Sequence, residues 1–345
     1  MRRLLSGFLI AFAGVVLGLL LLEVAVRAVL RVAAASAVKP DRPPYYYRYA
    51  GTQSYANDSF SLQKPSNVFR IVAVGDSFTF PHLMQLDDAY PKRLERMLNL
   101  SKAPGLRAEV LNWGVSGLCT VQELPLVQKA LTAAPDLVLL QITLNDLQPM
   151  NFQDMAPALK ERYTFGELEI SREKTPLYYY WRTAGVVARR IHNMRTRRSF
   201  VKFNLDMLDS KRLWQGFRAA ISQMKGACAA RGVPFVVLIV PYFHFPLDAR
   251  YPFGPIHEKF GSYLKKKRIP YLDLLPEFGG MAYERMHVLP GKDSHPNEIA
   301  HRVIAERLYD WLEREGLIPK DLKLPERYAP RLHRLIDSEP WRTAS

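Results

Sequence analysis

Cysteine is scarce in this 345-residue chain, with only Cys119 and Cys228 present. Two thiols cannot frame a disulfide scaffold, and neither stands in a C-x-x-C pair, so structural zinc and dithiol redox chemistry are excluded. One bridge or two separate thiols both remain open. Acidic side chains are also in deficit, 33 against 48 basic, giving a net charge of +15. That excess favours anionic lipid headgroups or acidic polymers. Nucleic acid is not expected, because zinc-finger spacing, RNA-binding aromatic motifs and basic heptads are all missing. Internal repeats are missing too, which excludes a solenoid.

Charge is absent altogether from Leu4 to Leu22, a run of 19 residues. Such a run is close to the length of a bilayer-crossing helix and has no polar face to turn towards water. Arg2 and Arg3 precede it, which favours a cytoplasmic N-terminus and an extracytoplasmic remainder. Glu23, Arg27 and Arg31 follow. The rival reading is a cleaved signal peptide with Ala35-Ser36-Ala37 as the small-residue site. The apolar run exceeds a usual signal core and charges separate it from that site, so we read an uncleaved anchor over 1–33. Residues 34–67, with Pro40, Pro43, Pro44 and Tyr45 to Tyr47, show neither helical nor strand period and read as a tether.

From residue 68 short apolar runs alternate with longer amphipathic stretches. The runs are Phe69–Val74, Ala108–Leu111, Leu137–Ile142, Pro234–Val240 and Pro270–Leu274. Runs of four to seven residues, mostly β-branched or leucine, describe strands buried on both faces. Candidate helices occupy Tyr90–Leu98, Thr120–Thr132 and Leu213–Arg231. This alternation predicts an α/β fold, a parallel sheet with helices on both faces, over 68–318. The stretch 150–210 interrupts it with Tyr178 to Trp181 and with Arg182, Arg189, Arg190, Arg195, Arg197 and Arg198. It reads as a helical insertion, either a lid beside the active site or a solvated face. A last helix begins at Asn297, runs along Ile299, Val303, Ile304, Leu308, Trp311 and Leu312, and stops at Gly316. Residues 319–345 form a Pro- and Lys/Arg-rich tail.

Four segments carry reactive or donor-bearing side chains. Gly75 to Phe80 (GDSFTF) follows the first strand, so Ser77 is expected at a helix start with free backbone N–H groups around it. Asn112 to Gly117 (NWGVSG) follows the second, and Gly117 lets a backbone N–H approach a ligand closely. Thr143 to Asp146 closes the third, where the Asn145 carboxamide can donate to an oxyanion. Asp293 to Asn297 (DSHPN) precedes the last helix. In extended chain, residues two apart project to one side, so Asp293 can hold one nitrogen of His295 while the other serves Ser77. Each segment alone also fits a turn or cap. Together, at the carboxyl ends of parallel strands where open α/β sheets bind ligands, they describe a nucleophile, a base, an orienter and oxyanion donors. Of the other histidines, His82 is near enough to Ser77 in sequence to touch substrate. Asp76 and Asp146 are expected to serve turn and helix-start amides.

In their order and wording (GDSFTF, EVLNWGVSG, PDLVLLQITLND, DSHPNEIAHRVIAERL) these segments resemble the SGNH hydrolases, the GDSL-like esterases and acyltransferases, over residues 68–315. The resemblance implies a three-layer α/β/α fold with a five-stranded parallel sheet in flavodoxin-like order. It places catalytic roles on Ser77, Asp293 and His295 and an oxyanion hole on Ser77, Gly117 and Asn145, with no cofactor and no metal. The sequence departs from the family pattern at Thr143, where glycine usually begins the asparagine block. It departs also at Lys292, in the usual aspartate place, and at Pro81. The branch it looks most like carries an N-terminal membrane segment, which implies a periplasmic domain on a single-pass inner-membrane anchor. The expected activity is hydrolysis of an extracytoplasmic ester, small or glycan-borne. Acyl transfer by the same triad, or a non-catalytic tethered binding protein on the same fold, stand as alternatives.

Overall fold

The computed structural model describes residues 2–36, 60–61, 63–100, 105–148, 163, 168–289 and 293–323. Most of the tether with Tyr45 to Tyr47, the first part of the insertion, Lys292 and the tail beyond residue 323 lie outside the described residues. The chain divides into two compact units, Met1–Pro43 with Asp154–Phe203, and Pro44–Gln153 with Asn204–Ser345.

In the first unit a helix, α1 (Arg2–Ser36), contains the uncharged run. Residues 6–33 within it are long and apolar enough to cross a membrane, and none of the most apolar stretch is buried in protein. The second unit opens with β1 (Val68–Gly75), followed by α2 (Tyr90–Leu98), β2 (Arg107–Gly114), α3 (Thr120–Ala130) and β3 (Leu137–Ile142). Returning to the first unit, the insertion gives a short helix α4 (Pro176–Tyr180) and then the long α5 (Arg182–Asp209). After it come α6 (Lys211–Ala229), β4 (Phe235–Ile239), α7 (Gly254–Lys266) and β5 (Tyr271–Asp273). A two-stranded antiparallel ribbon, β6 (His287–Leu289) with β7 (Asp293–Pro296), leads into α8 (Glu298–Arg314).

The five main strands form one sheet in the order β2-β1-β3-β4-β5, every neighbouring pair parallel. The fold class is thus the doubly wound α/β/α sheet in flavodoxin-like order. The pattern that signalled burial on both faces is literal here: all of β3 and β4, and Arg70 to Gly75 of β1, are buried. Arg70 is the exception in kind. Its guanidinium, fully buried, pairs with Glu109 at 2.6 Å and donates to the Ala133 carbonyl oxygen at 2.6 Å. An uncompensated charge there would be strongly destabilising, and the Glu109 carboxylate compensates it.

Along α8 the apolar stripe Val303, Ile304, Leu308, Trp311 and Leu312 is buried, as its spacing requires. Asn297 caps the helix by accepting from the Ile299 and Ala300 amides, and its Nδ2 donates to the Arg285 and His287 carbonyl oxygens. One side chain therefore fixes both the helix start and the ribbon that precedes it. Cys119 and Cys228 are buried free thiols, which resolves the pairing left open by their number. Two elements went unnoticed in the sequence, α7 and the ribbon. Strands of three and four residues are too short to show a period of two.

Candidate active site

β1 and β3 are adjacent in the sheet although β2 lies between them in sequence, so the strand order reverses there, the place where open α/β sheets bind ligands. Ser77 lies two residues beyond β1 and is only 7% exposed. The expected helix start is not found there. The Phe80 amide donates to the Asp76 carbonyl oxygen at 2.8 Å, closing a single helical turn that goes no further. Pro81 explains the stop, since it has no N–H to continue the ladder and disfavours helical backbone at Phe80. The Asp76 carboxylate accepts from the Phe78 amide at 2.9 Å and so caps this turn. Among the described residues the Ser77 amide donates to no protein acceptor.

The turn is wedged from both sides. Thr79 Oγ1 donates to Gln141 of β3 at 2.9 Å and lies 3.0 Å from the Tyr90 hydroxyl. Asn112 Nδ2 donates to the Thr79 carbonyl oxygen at 2.9 Å, and Asn112 Oδ1 accepts from the Gly114 amide at 3.0 Å. Gly114 must lack a side chain, because a Cβ would fall on the Phe80 amide nitrogen.

His295 reaches Ser77 from the other end of the domain. Its Nε2 is 2.9 Å from Ser77 Oγ, and its Nδ1 is 2.6 Å from Asp293 Oδ1. Strand geometry puts the two ribbon residues on one face, as their spacing predicts. The His295 amide also donates to Asp293 Oδ1 at 3.0 Å. Partial burial acts to raise the Asp293 pKa, but hydrogen bonds from the His295 ring, the His82 ring and the His295 amide outweigh it, and the carboxyl is held well below the usual range. Asp293 is therefore an anion at neutral pH.

His82 makes a contact within this row. Its Nε2 lies 3.1 Å from Asp293 Oδ2, and its ring centroid is 4.3 Å from that of His295. Asp293 thus carries an imidazole on each oxygen. Leu83, next in the chain, adopts φ 54°, a left-handed conformation unfavourable for leucine. Such strain persists where surroundings over-determine the backbone, here at the bend that delivers His82. Nothing in the spacing of His82 announces this contact. Donor atoms of His82, Asp293 and His295 lie within 4.8 Å of one another, close enough to hold a metal ion. In this geometry both His295 ring nitrogens and His82 Nε2 are engaged in hydrogen bonds.

Of the oxyanion candidates, Gly117 is exposed in the loop after β2 with φ 81°, a conformation that glycine adopts without cost. Its amide also meets no protein acceptor among the described residues. Asn145, in a short 3-10 turn after β3, donates to the Leu118 carbonyl oxygen at 3.0 Å and ties the two loops together. Beneath these loops lie three buried carboxyls, Asp76, Glu123 and Asp146. Asp146 accepts from Thr120 Oγ1 at 2.6 Å and from the Thr143 amide. Burial and the neighbouring Asp146 and Asp76 charges push the Glu123 carboxyl well above its usual pKa, and burial with the Asp76 charge does the same to Asp146. Asp76 and Asp146 serve backbone amides, as expected, but within a carboxyl cluster that the sequence did not suggest.

The five-stranded parallel sheet thus carries a hydrogen-bonded Ser-His-Asp row at its carboxyl edge. No protein-family model and no curated protein matches the chain. Among solved structures it is similar to a putative lipolytic protein of the G-D-S-L family from Desulfitobacterium hafniense DCB-2, at 15% identity and TM-score 0.41, covering 71% of this chain and 98% of that one. It is similar also to an acetylxylan esterase from Geobacillus stearothermophilus, at 14% identity and TM-score 0.43, covering 70% and 93%. A third is a two-domain esterase active on acetylated mannans, at 11% identity and TM-score 0.44, covering 76% of this chain and 54% of that one.

Proposed function

We propose that this chain is a serine esterase, anchored by α1, that cleaves an extracytoplasmic ester through an acyl-serine on Ser77. The observation carrying the proposal is the 2.9 Å contact between Ser77 Oγ and His295 Nε2, made across 218 residues of sequence. A serine hydroxyl is a weak nucleophile until an adjacent base takes its proton. His295 Nε2 accepts that proton as Oγ bonds to the acyl carbon, and the carbonyl electrons move onto oxygen. Asp293 stabilises the imidazolium so formed and fixes the proton on Nδ1.

The Ser77 and Gly117 amides are the donors available to the oxyanion. The Asn145 carboxamide can join them by exchanging its bond to Leu118. Collapse of the intermediate breaks the ester C–O bond, and His295 returns the proton to the departing alcohol. Water then repeats the sequence on the acyl-serine and frees the acid. An acceptor hydroxyl in place of water would make the same machinery a transferase, so product analysis separates the two. Acylated glycans are the first substrate class to screen.

A fluorophosphonate probe tests the reading. The full-length protein should label at Ser77, and Ser77→Ala and His295→Ala should not. Failure of folded wild-type protein to label would overturn the proposal in favour of a non-catalytic binding protein.

A further inference from the structure

We infer that residues 176–194, α4 and the first turns of α5, lie in the headgroup layer of the membrane that α1 spans, with the arginines of α5 facing anionic phospholipid. The inference rests on the reading of α1 as an uncleaved span and is independent of the chemistry at Ser77.

Exposed large apolar side chains are confined, among the described residues, to α1, to Leu100 and to positions 177–194. Leu177 is 62% exposed, Tyr180 55% and Val187 53%. An apolar patch of this kind marks a surface that something covers. Its location says what covers it. The uncharged run Leu4 to Leu22 is about 28 Å long at 1.5 Å per residue, close to the hydrocarbon thickness of a bilayer. Glu23 stands where that run ends, and Glu23 is where the segment is fastened.

The Glu23 carboxylate accepts from the Arg182 and Thr183 amides, each at 2.8 Å, and from Thr183 Oγ1 at 2.7 Å. It thereby satisfies the free N–H groups that open α5. Arg27 donates to the same carboxylate at 2.7 Å and to the Tyr180 carbonyl oxygen at 2.6 Å, closing the end of α4. Tyr178 to Trp181 are thus held at the level where the apolar run gives way to charge, the depth at which tyrosine and tryptophan concentrate. Between α1 and this segment runs an open groove of about 530 Å³ lined by Leu20, Glu23, Pro176, Leu177, Tyr180 and Trp181. An acyl chain suits such a groove.

Charge favours lipid over a protein partner as the occupant. The chain carries no acidic residue between Glu173 and Asp206, while Arg182, Arg189, Arg190, Arg195, Arg197 and Arg198 fall within that interval. Over the first turns of α5, Val187, Ile191 and Met194 recur at helical spacing on one side, Arg182 and Arg189 take the opposite side, and Val186 and Arg190 lie on the flank between them. An apolar face backed by arginines is the pattern of a helix lying in the plane of an anionic interface.

The test uses the full chain in lipid nanodiscs, with Trp181 read as the difference in emission between wild type and Trp181→Phe. In discs containing phosphatidylglycerol, we expect lipids brominated close to the glycerol backbone to quench Trp181 about threefold more than lipids brominated near the bilayer centre, as interfacial indoles behave. Acrylamide access to Trp181 should be lower in those discs than in pure phosphatidylcholine. Arg189→Glu with Arg190→Glu should erase that difference while leaving helix content unchanged. Trp181 open to acrylamide in discs that carry the chain, or protected equally in both lipids, would overturn the inference. Protection appearing only when two chains share a disc would assign the face to a second copy and overturn it likewise. A chain that fails to float with the discs removes the anchor and the inference together, and flotation tells that failure from the others.

Discussion

Replacing His82 by alanine tests the least expected contact at the site. Wild-type Asp293 has an imidazole on each carboxylate oxygen, and His82→Ala leaves only that of His295. The lost bond is 3.1 Å long, between a ring 30% exposed and a carboxylate 24% exposed. A hydrogen bond to a charged group contributes about 1.5–3 kcal/mol, and partial solvent access brings that to about 1–2 kcal/mol. Its effect should be felt most when His295 becomes an imidazolium and depends on a correctly turned Asp293. A loss of that size in the transition state lowers kcat about 5- to 30-fold. KM for a small ester such as p-nitrophenyl acetate should be unchanged, because His82 is a positioning residue whose nitrogen is directed at Asp293. His82→Gln, which can still donate to Asp293, should recover much of the rate. The reasoning is refuted if His82→Ala raises KM at constant kcat, which would put the ring on substrate, or if it changes neither.

Gly114→Ala should lower stability by about 1–3 kcal/mol and depress Ser77 labelling. Its Cβ falls on Phe80 and Thr79 backbone that cannot move without shifting the nucleophile turn. A melting curve and a labelling time course check both. His301 is buried and neutral, its pKa pushed down to about 3 by burial with Arg93 and His295 nearby, and its Nδ1 accepts from the Tyr90 amide at 3.1 Å. The unfolded state then binds more protons than the folded state, so this contribution is whole above about pH 6.5 and is lost as pH falls towards 3, by ~5 kcal/mol at most. His301→Asn should flatten the acid side of the stability-pH curve measured by urea unfolding. Glu123 has the opposite sign. Its raised pKa means that folding favours the protonated carboxyl, so its contribution is whole below about pH 4.3 and fades as pH rises through the folded value. Glu123→Gln should therefore gain stability over wild type at alkaline pH and little at pH 4.

The sequence by itself determined the elements and their class. Short, mostly apolar and β-branched runs set between longer helical stretches indicate strands buried on both faces, and such strands require helices above and below. The stripe on α8 and the Asn297 cap were equally legible, because both are local patterns. Ser77, Asp293, His295, Gly117 and Asn145 could be singled out, since loops at the carboxyl ends of parallel strands share one edge whatever else the fold does. Tertiary structure alone decided how those loops meet. His82 became the second imidazole on Asp293 through a strained bend at Leu83, and Glu123 joined Asp76 and Asp146 beneath the site. Each of these depends on residues tens to hundreds of positions apart. Periodicity reports only how a segment folds upon itself, and contacts between segments are set by packing that no single stretch encodes.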